Sequence, residues 1–375
     1  MKVRTNIGIL KDLIDNALPI INQKAQILIL HNFLIRAKNS RLEIVATDLD
    51  ISIIAYKDVE VLEEGEILIN AKKFAEIVKN FEDEDEIEII SDENLKFELI
   101  IGNSKFSLVG INSEEFPKVQ YPEDINYIIS VKGLALNFII DYTLFAVSKD
   151  IGILTGINFE IHKDFIRMVG TDSHKLGLAD YKDLIDIKKQ DEDFPLKFVV
   201  PNKVVKHLSD TIEDDWDINI AFKDNFLIFN YENILLSTRL LEGTYPNYEA
   251  VIPEDNQNSA IIERKTFMNI IKRSLSTSES GQYKIIFKFD STLEVYSYDT
   301  ELGAESKQEL SISYEGEPIE IAFNGNYLLD ILKHIKTDDV EFKIGGSLSP
   351  TLIKPLPQSE SENVILLLMP LRIKS

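Results

Sequence analysis

The chain repeats itself at intervals of about a third of its length, and this repetition constrains its fold more than any other feature. Three stretches begin EILINAKKFAEIVKN, KFVVPNKVVKHLSDT and IEIAFNGNYLLDILKHIK, and each places a short apolar strand before a segment with apolar residues at helical spacing. An acidic turn and further strand-like segments follow each of them. A repeat of this length indicates whole domains rather than the roughly 20–50-residue units of a solenoid.

The segments that precede these stretches repeat as well. LEIVATDLDISIIAY and IRMVGTDSHKLGLADY each carry a Thr-Asp pair after an apolar strand, and Asp48 and Asp172 are 124 residues apart. Pro117 and Pro246 each follow an aromatic residue and are 129 residues apart. A period near 125 divides the 375 residues into three. We therefore predict domains over 1–126, 127–257 and 258–375.

Each domain is predicted to combine two helices with several strands, which is an α+β fold. An apolar helix face needs a sheet to cover it, so we expect outer antiparallel sheets with the helices on one side. Exposed sheet edges are a liability unless another chain pairs with them, and two chains joined head to tail would close a ring. The helices are predicted over 8–17, 71–80, 136–148, 202–212, 264–275 and 326–336.

Composition narrows the compartment and the chemistry. The absence of cysteine excludes disulfides, thiolate nucleophiles and cysteine-based metal sites, and it fits a reducing cytosol. The first residues, MKVRTNIGILKDLID, carry charges where a signal peptide needs an apolar stretch. The last apolar run, VILLLMPL, is far shorter than the roughly 20 residues that span a membrane. We expect a cytoplasmic, soluble protein without cofactor or metal.

The charge of the chain is unevenly distributed. A net charge of −23 argues by itself against nucleic acid binding, because such domains are usually basic. Yet the six predicted helices hold twelve Lys and Arg residues against six acidic ones, which leaves −29 for the rest. Lysine is common on solvated helix faces, and this alone explains the basic excess of any single helix. The same bias in six helices favours a functional basic surface.

Six segments together resemble a known family. They are ATDLDISI, FAVSKDIGILTGINFEI, VGTDSHKLGL, EGTYPNYEAVIP, FNGNYLLDILKHI and LMPLRI, which are similar, in order, to segments of the bacterial DNA polymerase III β subunit, the sliding clamp. The resemblance covers essentially the whole chain. It implies a non-catalytic processivity factor for DNA replication, a homodimer that closes a ring around double-stranded DNA without reading its sequence. The implied partners are the DNA polymerase III catalytic subunit, the clamp loader, and other polymerases and repair factors that dock through short peptide motifs.

The resemblance also implies which residues face DNA. Lys24, Lys72, Lys79 and Lys203 occupy positions where family members place basic residues towards DNA. The count of helical charges adds Arg264, Lys265 and Lys272. Gly152 and Ile153 stand where some family members have an aromatic pair, so the resemblance does not extend to a DNA contact by that loop.

A hydrophobic groove for partner peptides is implied around the C-terminal strand. In this reading Val364 to Leu366 belong to a buried strand, whereas Met369 to Arg372 belong to the groove. Ala250 replaces an arginine that is common near the groove, and Ser280 replaces an aromatic residue. The implied lining consists of Leu154, Thr171, His174, Lys175, Leu176, Pro246, Val251, Tyr327, Leu348, Leu367, Leu368, Met369, Pro370, Leu371 and Arg372.

The seam of the implied ring joins an edge strand of the first domain to the third domain of the partner. NSKFSLVG matches that edge, and the alternation of its apolar residues suits a half-buried strand. An intramolecular strand without a partner is the other interpretation of this segment. The residues expected at the seam are Lys96, Lys105, Phe106, Leu108, Arg273, Leu275, Glu301 and Glu305.

Two other classes of function fit parts of the sequence. Asp172 and His174 could form an acid–base pair, but the five histidines are scattered, and HExxH, GxSxG and phosphate-loop motifs are absent from the sequence. Since the Thr-Asp pair recurs at Asp48 without a histidine, we interpret the aspartate as a turn-forming residue. The second class is an acidic three-repeat scaffold for protein interactions that never encircles DNA.

Overall fold

A computed structural model of the chain describes residues 1–119, 125–189 and 192–373. Within these ranges the chain forms six α-helices. The six helices that the apolar spacing predicts are confirmed; five have ends within two residues of the prediction, and the third ends seven residues early. Their bounds are α1 Ile7–Ala17, α2 Ala71–Val78, α3 Gly133–Asp141, α4 Asn202–Thr211, α5 Arg264–Leu275 and α6 Gly325–His334.

The third helix differs most from its prediction. It begins at Gly133 and ends at Asp141, and Leu144–Ala146 form a separate 3-10 turn instead of continuing the helix. The Thr143 hydroxyl donates to the carbonyl oxygen of Ile139 at 2.6 Å. This local bond satisfies a carbonyl of the last turn and favours the end of the helix there.

Most of the remaining chain is strand. The strands are β1 Lys2–Asn6, β2 Asn32–Lys38, β3 Arg41–Thr47, β4 Ile51–Asp58, β5 Glu60–Glu63, β6 Gly65–Asn70, β7 Glu86–Ser91, β8 Lys96–Ile101, β9 Ser104–Val109, β10 Ile129–Lys132, β11 Gly156–Ile161, β12 Phe165–Thr171, β13 Lys175–Lys182, β14 Ile185–Ile187, β15 Leu196–Pro201, β16 Asp217–Lys223, β17 Phe226–Tyr231, β18 Ile234–Arg239, β19 Asn258–Glu263, β20 Lys284–Phe289, β21 Thr292–Asp299, β22 Ala304–Ser311, β23 Ser313–Glu315, β24 Ile319–Asn324, β25 Asp339–Ile344, β26 Thr351–Leu356 and β27 Glu362–Leu368. The chain divides into two compact units, drawn over the described residues of Met1–Gly133, Asp186–Gln190 and Thr211–Leu240 for unit 1, and of Leu134–Ile185, Asp191–Asp210 and Leu241–Ser375 for unit 2.

Unit 1 contains two antiparallel sheets. One has the strand order β5-β1-β7-β8-β9, and the other contains the run β10-β16-β17-β18-β4-β3-β2-β6. The pairing of β18 with β4, from Ile234 opposite Ala55 to Thr238 opposite Ile51, joins strands that lie far apart in sequence. Strands from two sequence repeats therefore share one hydrogen-bonded sheet. Unit 1 is for this reason larger than a single repeat.

Unit 2 has the same plan. One sheet runs β15-β11-β12-β13-β27-β26-β25-β19-β23, and the other runs β22-β21-β20-β24. The pairing of β13 with β27 brings the C-terminal strand next to a strand of the second repeat. Val364 and Leu366 of β27 are buried, which confirms the interpretation of this segment as a buried strand.

The helices cover the sheets with the apolar faces that their sequences predict. In α1 the buried residues Ile7, Leu10, Leu13, Ile14 and Ala17 follow helical spacing. In α2, Phe74 meets Phe97 of β8 edge to face at 5.6 Å between ring centroids. In α5, Phe267 meets Phe287 at 5.7 Å and Phe342 at 5.6 Å. These aromatic contacts anchor the helices over their sheets.

An asparagine begins several helices and explains where they start. The side chains of Asn6, Asn70 and Asn324 accept hydrogen bonds from backbone N–H groups in the first turns of α1, α2 and α6. Glu263 does the same for α5. Such caps satisfy N–H groups that have no partner within the helix. None of the helices in the described ranges is long and apolar enough to cross a membrane.

Two facing glycines allow the end of α3 to lie directly on the sheet of unit 2. Gly170 of β12 is opposite Gly177 of β13. A Cβ atom on Gly177 would lie 2.1 Å from the carbonyl oxygen of Tyr142, and one on Gly170 would lie 2.3 Å from that of Thr143. The backbone after α3 therefore packs where any side chain would collide with it.

Gly177→Ala is expected to lower the midpoint of thermal unfolding by several degrees, because overpacking of this kind costs about 1–3 kcal/mol or more. Differential scanning calorimetry of the full chain measures the shift. Gly346→Ala is the matched control, since its Cβ would meet only the flexible Ser349 hydroxyl at 3.3 Å. Equal midpoints for the two variants would contradict the close approach at Gly177.

Candidate functional site

An apolar cavity of about 200 Å³ lies on unit 2, where β12, β13 and β27 end. Nine of the fifteen residues predicted for the groove line it. Three further lining residues, Ser173, Asn247 and Tyr248, are ones that the sequence did not predict. We call this cavity the groove; its lining is Leu154, Thr171, Ser173, His174, Lys175, Leu176, Pro246, Asn247, Tyr248, Val251, Leu367 and Met369.

Strand register builds the floor of the groove. Thr171 is opposite Leu176, and Leu176 is opposite Leu367, so the three side chains lie in a row on one face of adjacent strands. The next row on the same face is Val169, Leu178 and Ile365. Leu176 and Leu367 are each only 2% exposed and pack with Tyr248 in one cluster. The floor is therefore a fixed part of the sheet rather than a loop.

The Thr-Asp pair forms the tight turn at one end of the groove. The Asp172 carboxylate accepts from the backbone N–H groups of His174 and Lys175, both at 2.9 Å. Thr171 donates its hydroxyl to the carbonyl oxygen of Lys175 at 2.7 Å. Asp48 and Thr47 make the same bonds around Ile51. The interpretation of the aspartate as a turn-forming residue is confirmed, and its carboxylate is occupied by the turn.

A charged and aromatic cluster forms the rim beside this turn. Lys175 Nζ lies 2.8 Å from the Asp172 carboxylate and 5.0 Å from the centroid of the Tyr327 ring. The His174 ring stacks on Tyr327 with 5.8 Å between centroids. Tyr327 is not part of the lining, but it supports two side chains that are.

Five other residues predicted for the groove do not line it. Leu368 is fully buried, because successive side chains of β27 alternate between faces and Leu367 takes the groove face. The assignment of Leu368 was therefore wrong. Leu348 is 62% exposed on a turn, and the Leu371 N–H donates to the Ala322 carbonyl oxygen at 2.7 Å. Pro370, half-buried, and Arg372, exposed, complete this group.

Tyr248 is a lining residue whose hydroxyl bonds two charged side chains. Its hydroxyl donates to Glu160 at 2.9 Å and accepts from Arg167 at 3.3 Å. Burial raises the pKa of Tyr248 to about 12, so the hydroxyl stays protonated near neutral pH. Tyr248 is the second tyrosine of the TYPNY segment, which could have drawn attention to it in the sequence. Only the folded chain shows the hydrogen-bond partners of its hydroxyl.

Glu160 is a buried carboxylate that is fully satisfied. It is 1% exposed and accepts from Asn158 at 2.8 Å, in addition to Tyr248, and it lies within 3.1 Å of Lys197 and 2.9 Å of His162. Burial alone would raise the pKa of Glu160, but hydrogen bonds from Asn158, His162, Tyr248 and Lys197 outweigh it and lower that pKa below its ordinary value. The group therefore remains charged.

The first repeat carries polar residues where the second has the groove floor. By strand register, Ser52 of β4 and Ser237 of β18 correspond to Leu176 and Leu367. The Ser52 hydroxyl lies 2.7 Å from that of Thr47 in a local hydrogen bond. Two serines cannot supply the apolar floor that two leucines supply. The repeats thus share the turn but differ in its apolar surroundings.

The basic residues predicted to face DNA are mostly exposed. In unit 1, Lys24, Lys72 and Lys79 are exposed, and Lys79 lies 4.0 Å from Asp15. In unit 2, Lys265 and Lys272 are exposed and Lys203 is half-buried. With the observed bounds the helices hold ten basic residues against six acidic ones, because Lys79 and Lys336 fall just beyond helix ends.

Arg264 differs from the other predicted DNA-facing residues. Its guanidinium donates to the carbonyl oxygens of Thr337 at 2.7 Å and of Leu332 at 3.4 Å. It thus caps carbonyl groups at the end of α6. A DNA contact by Arg264 would therefore compete with these hydrogen bonds within the fold.

The residues predicted for the seam lie on or near the edge strand of one sheet in each unit, and two of them lie on helix α5. β9 is the edge strand of its sheet, and its residues alternate between half-buried and exposed, as the sequence predicts. Phe106 meets Phe81 edge to face at 5.8 Å, and Leu108 is half-buried. Lys96 and Lys105 both contact Glu98 of the same chain and hold its pKa at about 2.

The other predicted seam residues lie on unit 2. Leu275 is the last residue of α5, and Arg273 donates to Gln308 at 2.7 Å. Glu301 and Glu305 are exposed, the second of them on the edge strand β22.

The chain resembles known proteins in sequence and in structure. Three models of the DNA polymerase III beta subunit match the chain in succession: the N-terminal domain at residues 1–120, the central domain at 130–247 and the C-terminal domain at 249–372. The beta sliding clamp of Halalkalibacterium halodurans is 30% identical over 91% of this chain and 92% of that protein. That of Bacillus subtilis is 28% identical over 96% of each chain.

Solved structures of sliding clamps match the fold of this chain over its whole length. The crystal structure of the DNA polymerase sliding clamp from Bacillus subtilis has a TM-score of 0.91 and 26% identity, and covers 100% of both chains. The DNA polymerase III beta subunit from Thermotoga maritima has a TM-score of 0.89 and 25% identity, again over 100% of both. The fold is therefore of the clamp class, with three sheet-and-helix domains in one chain. The chain belongs to the DNA polymerase III beta subunit family, the DNA sliding clamps.

Proposed function

We propose that this chain is a non-catalytic, cytoplasmic processivity factor. Two copies join head to tail in a ring around double-stranded DNA, and this ring holds the DNA polymerase III catalytic subunit on the DNA. The observation that carries the proposal is the whole-length match to proteins named sliding clamps. Domain boundaries at 126 and 257 go with this proposal. The first falls between the family domains matched at 1–120 and 130–247, whereas the C-terminal family domain begins at 249, before the second boundary.

The distribution of charge supports a ring that slides. Each phosphate that a protein neutralises releases counterions and adds affinity, so many tight contacts would hold a ring in one place. A small basic excess on the helices would supply weak attraction without reading sequence. The acidic remainder of a chain with net charge −23 would discourage binding of DNA elsewhere. In this proposal Lys24, Lys72, Lys79, Lys203, Lys265 and Lys272 face the duplex, and Arg264 contributes less because the fold already uses it.

The groove is proposed to be the docking site for short partner peptides. Burying two bulky apolar side chains contributes roughly 1.5–3 kcal/mol each. After ordering costs this favours binding near the micromolar range, about 8 kcal/mol, which allows partners to exchange. Met369 suits such a site because its unbranched side chain adapts to different ligands. The clamp loader, other polymerases and repair factors would share this site with the replicative polymerase.

Retention on DNA tests the proposed function. After loading by the clamp loader, the protein is expected to stay on closed circular DNA through gel filtration and to leave once a nuclease linearises the circle. A ring held by topology has no other way off, whereas the protein-interaction scaffold would show neither retention nor release. Loss from intact circles at the same rate as from linear DNA would contradict encirclement.

A further inference from the structure

A single row of polar residues crosses four adjacent strands beside the groove. Glu160 of β11 is opposite Arg167 of β12, Arg167 is opposite Asp180 of β13, and Asp180 is opposite Asn363 of β27. Arg167 donates two hydrogen bonds to the Asp180 carboxylate, at 2.6 and 2.9 Å, and Asn363 donates to it at 2.8 Å. We call these four residues the polar row.

The polar row lies on the same face of the sheet as the groove floor. Side chains two residues apart on a strand share a face, so the floor, the row of Val169, Leu178 and Ile365, and the polar row follow one another. Tyr248 packs with the two apolar rows, and its hydroxyl reaches Glu160 and Arg167 of the third. The aromatic side chain of Tyr248 therefore extends from the groove to the polar row, whose residues belong to the sheet and anchor the hydroxyl.

The anchor is buried and complete. Glu160 is 1% exposed, Asp180 is 5% exposed and Tyr248 is 6% exposed. A buried polar network whose members are all hydrogen-bonded is rigid, and one that has lost a partner is costly. The hydroxyl of Tyr248 is thus held in one position at the centre of this network.

A second cavity adjoins the groove across the same tyrosine. It has about 490 Å³ and shares Pro246, Asn247 and Tyr248 with the groove, and Glu160 and Lys197 also line it. Tyr248 is thus part of the wall between two open spaces. The two hydrogen bonds to the polar row hold the Tyr248 side chain beside this second cavity.

We propose that the polar row positions Tyr248 as the wall of the groove, so that Glu160 and Arg167 set the affinity for partner peptides without touching them. The proposal rests on the proposed docking function of the groove. A wall that is already in place spares the peptide the cost of ordering it, which strengthens binding. Tyr248 contacts the bound side chain, and the polar row acts through it.

Tyr248→Phe tests the proposal, because it keeps the ring and removes the hydroxyl. The probe is a synthetic peptide from the clamp-binding segment of the polymerase catalytic subunit, and its Kd is measured by calorimetry on the full-length protein. We expect Kd to rise about fivefold to tenfold. Glu160→Gln is expected to raise Kd in the Tyr248 background but to add no further loss to Tyr248→Phe, since both act through one hydroxyl.

A purely structural role would not give this non-additivity. Tyr231→Phe is the matched control, because Tyr231 is 1% exposed and its hydroxyl lies 3.1 Å from that of Thr211, outside the groove. It should leave Kd unchanged even if it lowers the unfolding midpoint. Unchanged affinity in Tyr248→Phe, or losses that add in the double variant, would overturn the positioning role. A wild-type protein that fails to bind the peptide would instead refute the groove as a docking site, and the positioning role with it.

Discussion

Met369→Lys is expected to weaken partner-peptide binding at least a hundredfold, about 3 kcal/mol, while leaving a folded protein. Met369 lines the groove and is 37% exposed, so a lysine there can reach solvent in the free protein. A bound apolar side chain would have to displace or bury the ammonium group, which is costly. Leu154→Lys is expected to have the same effect on binding. Calorimetry with a peptide from the polymerase catalytic subunit measures both.

Ile261→Lys is the matched control for Met369→Lys. Ile261 is 38% exposed on β19 and lies outside the groove, so the same new charge should leave peptide affinity unchanged. Leu154 is only 6% exposed, and circular dichroism must show that its variant still folds. Retained peptide affinity in folded Met369→Lys and Leu154→Lys would remove the groove from the proposed function.

The combination of Phe106→Ala and Leu275→Ala is expected to convert the proposed dimer into monomers at micromolar concentration. Both residues are half-buried within one chain, which leaves apolar surface for a partner. Each lost contact costs roughly 1.5–3 kcal/mol, and a ring of two chains has two seams. Sedimentation velocity measures the mass directly.

Phe222→Ala combined with Leu184→Ala provides the control for the seam. These two residues are 42% and 44% exposed and lie outside the predicted seam, so the dimer should persist. Lys96 and Lys105 already contact Glu98, so their replacement should change dimerisation little, as is usual for exposed ion pairs. An unchanged dimer in the Phe106 and Leu275 double variant would contradict this seam.

Local patterns predicted the elements well, because local physics decides them. Apolar spacing located all six helices, and the recurrence of Thr-Asp identified the turn at Asp48 and Asp172. The helix predicted over 136–148 ends at Asp141, where the Thr143 hydroxyl bonds the Ile139 carbonyl oxygen, a contact that residue periodicity does not report. Alternation in β9 was readable for the same reason that helical spacing was.

The groove was predicted only in part, because its lining depends on strand register. Carrying positions over from a family brought both Leu367 and Leu368 into the site, although neighbouring residues on a strand must face opposite ways. Tyr248 was missed because its role depends on Glu160 and Arg167, which lie about eighty residues earlier in the chain. No short window of sequence contains that relation.

The pairing of β18 with β4 means that the sequence repeats are not separable pieces. A fragment cut at the end of the first repeat would leave β4 with a row of unsatisfied N–H and C=O groups, an open template for aggregation. Removal of the last repeat would likewise leave β13 without its hydrogen-bonded neighbour β27. Each repeat therefore covers a strand edge of another, and a fragment made of one repeat would have to be designed with that edge blocked.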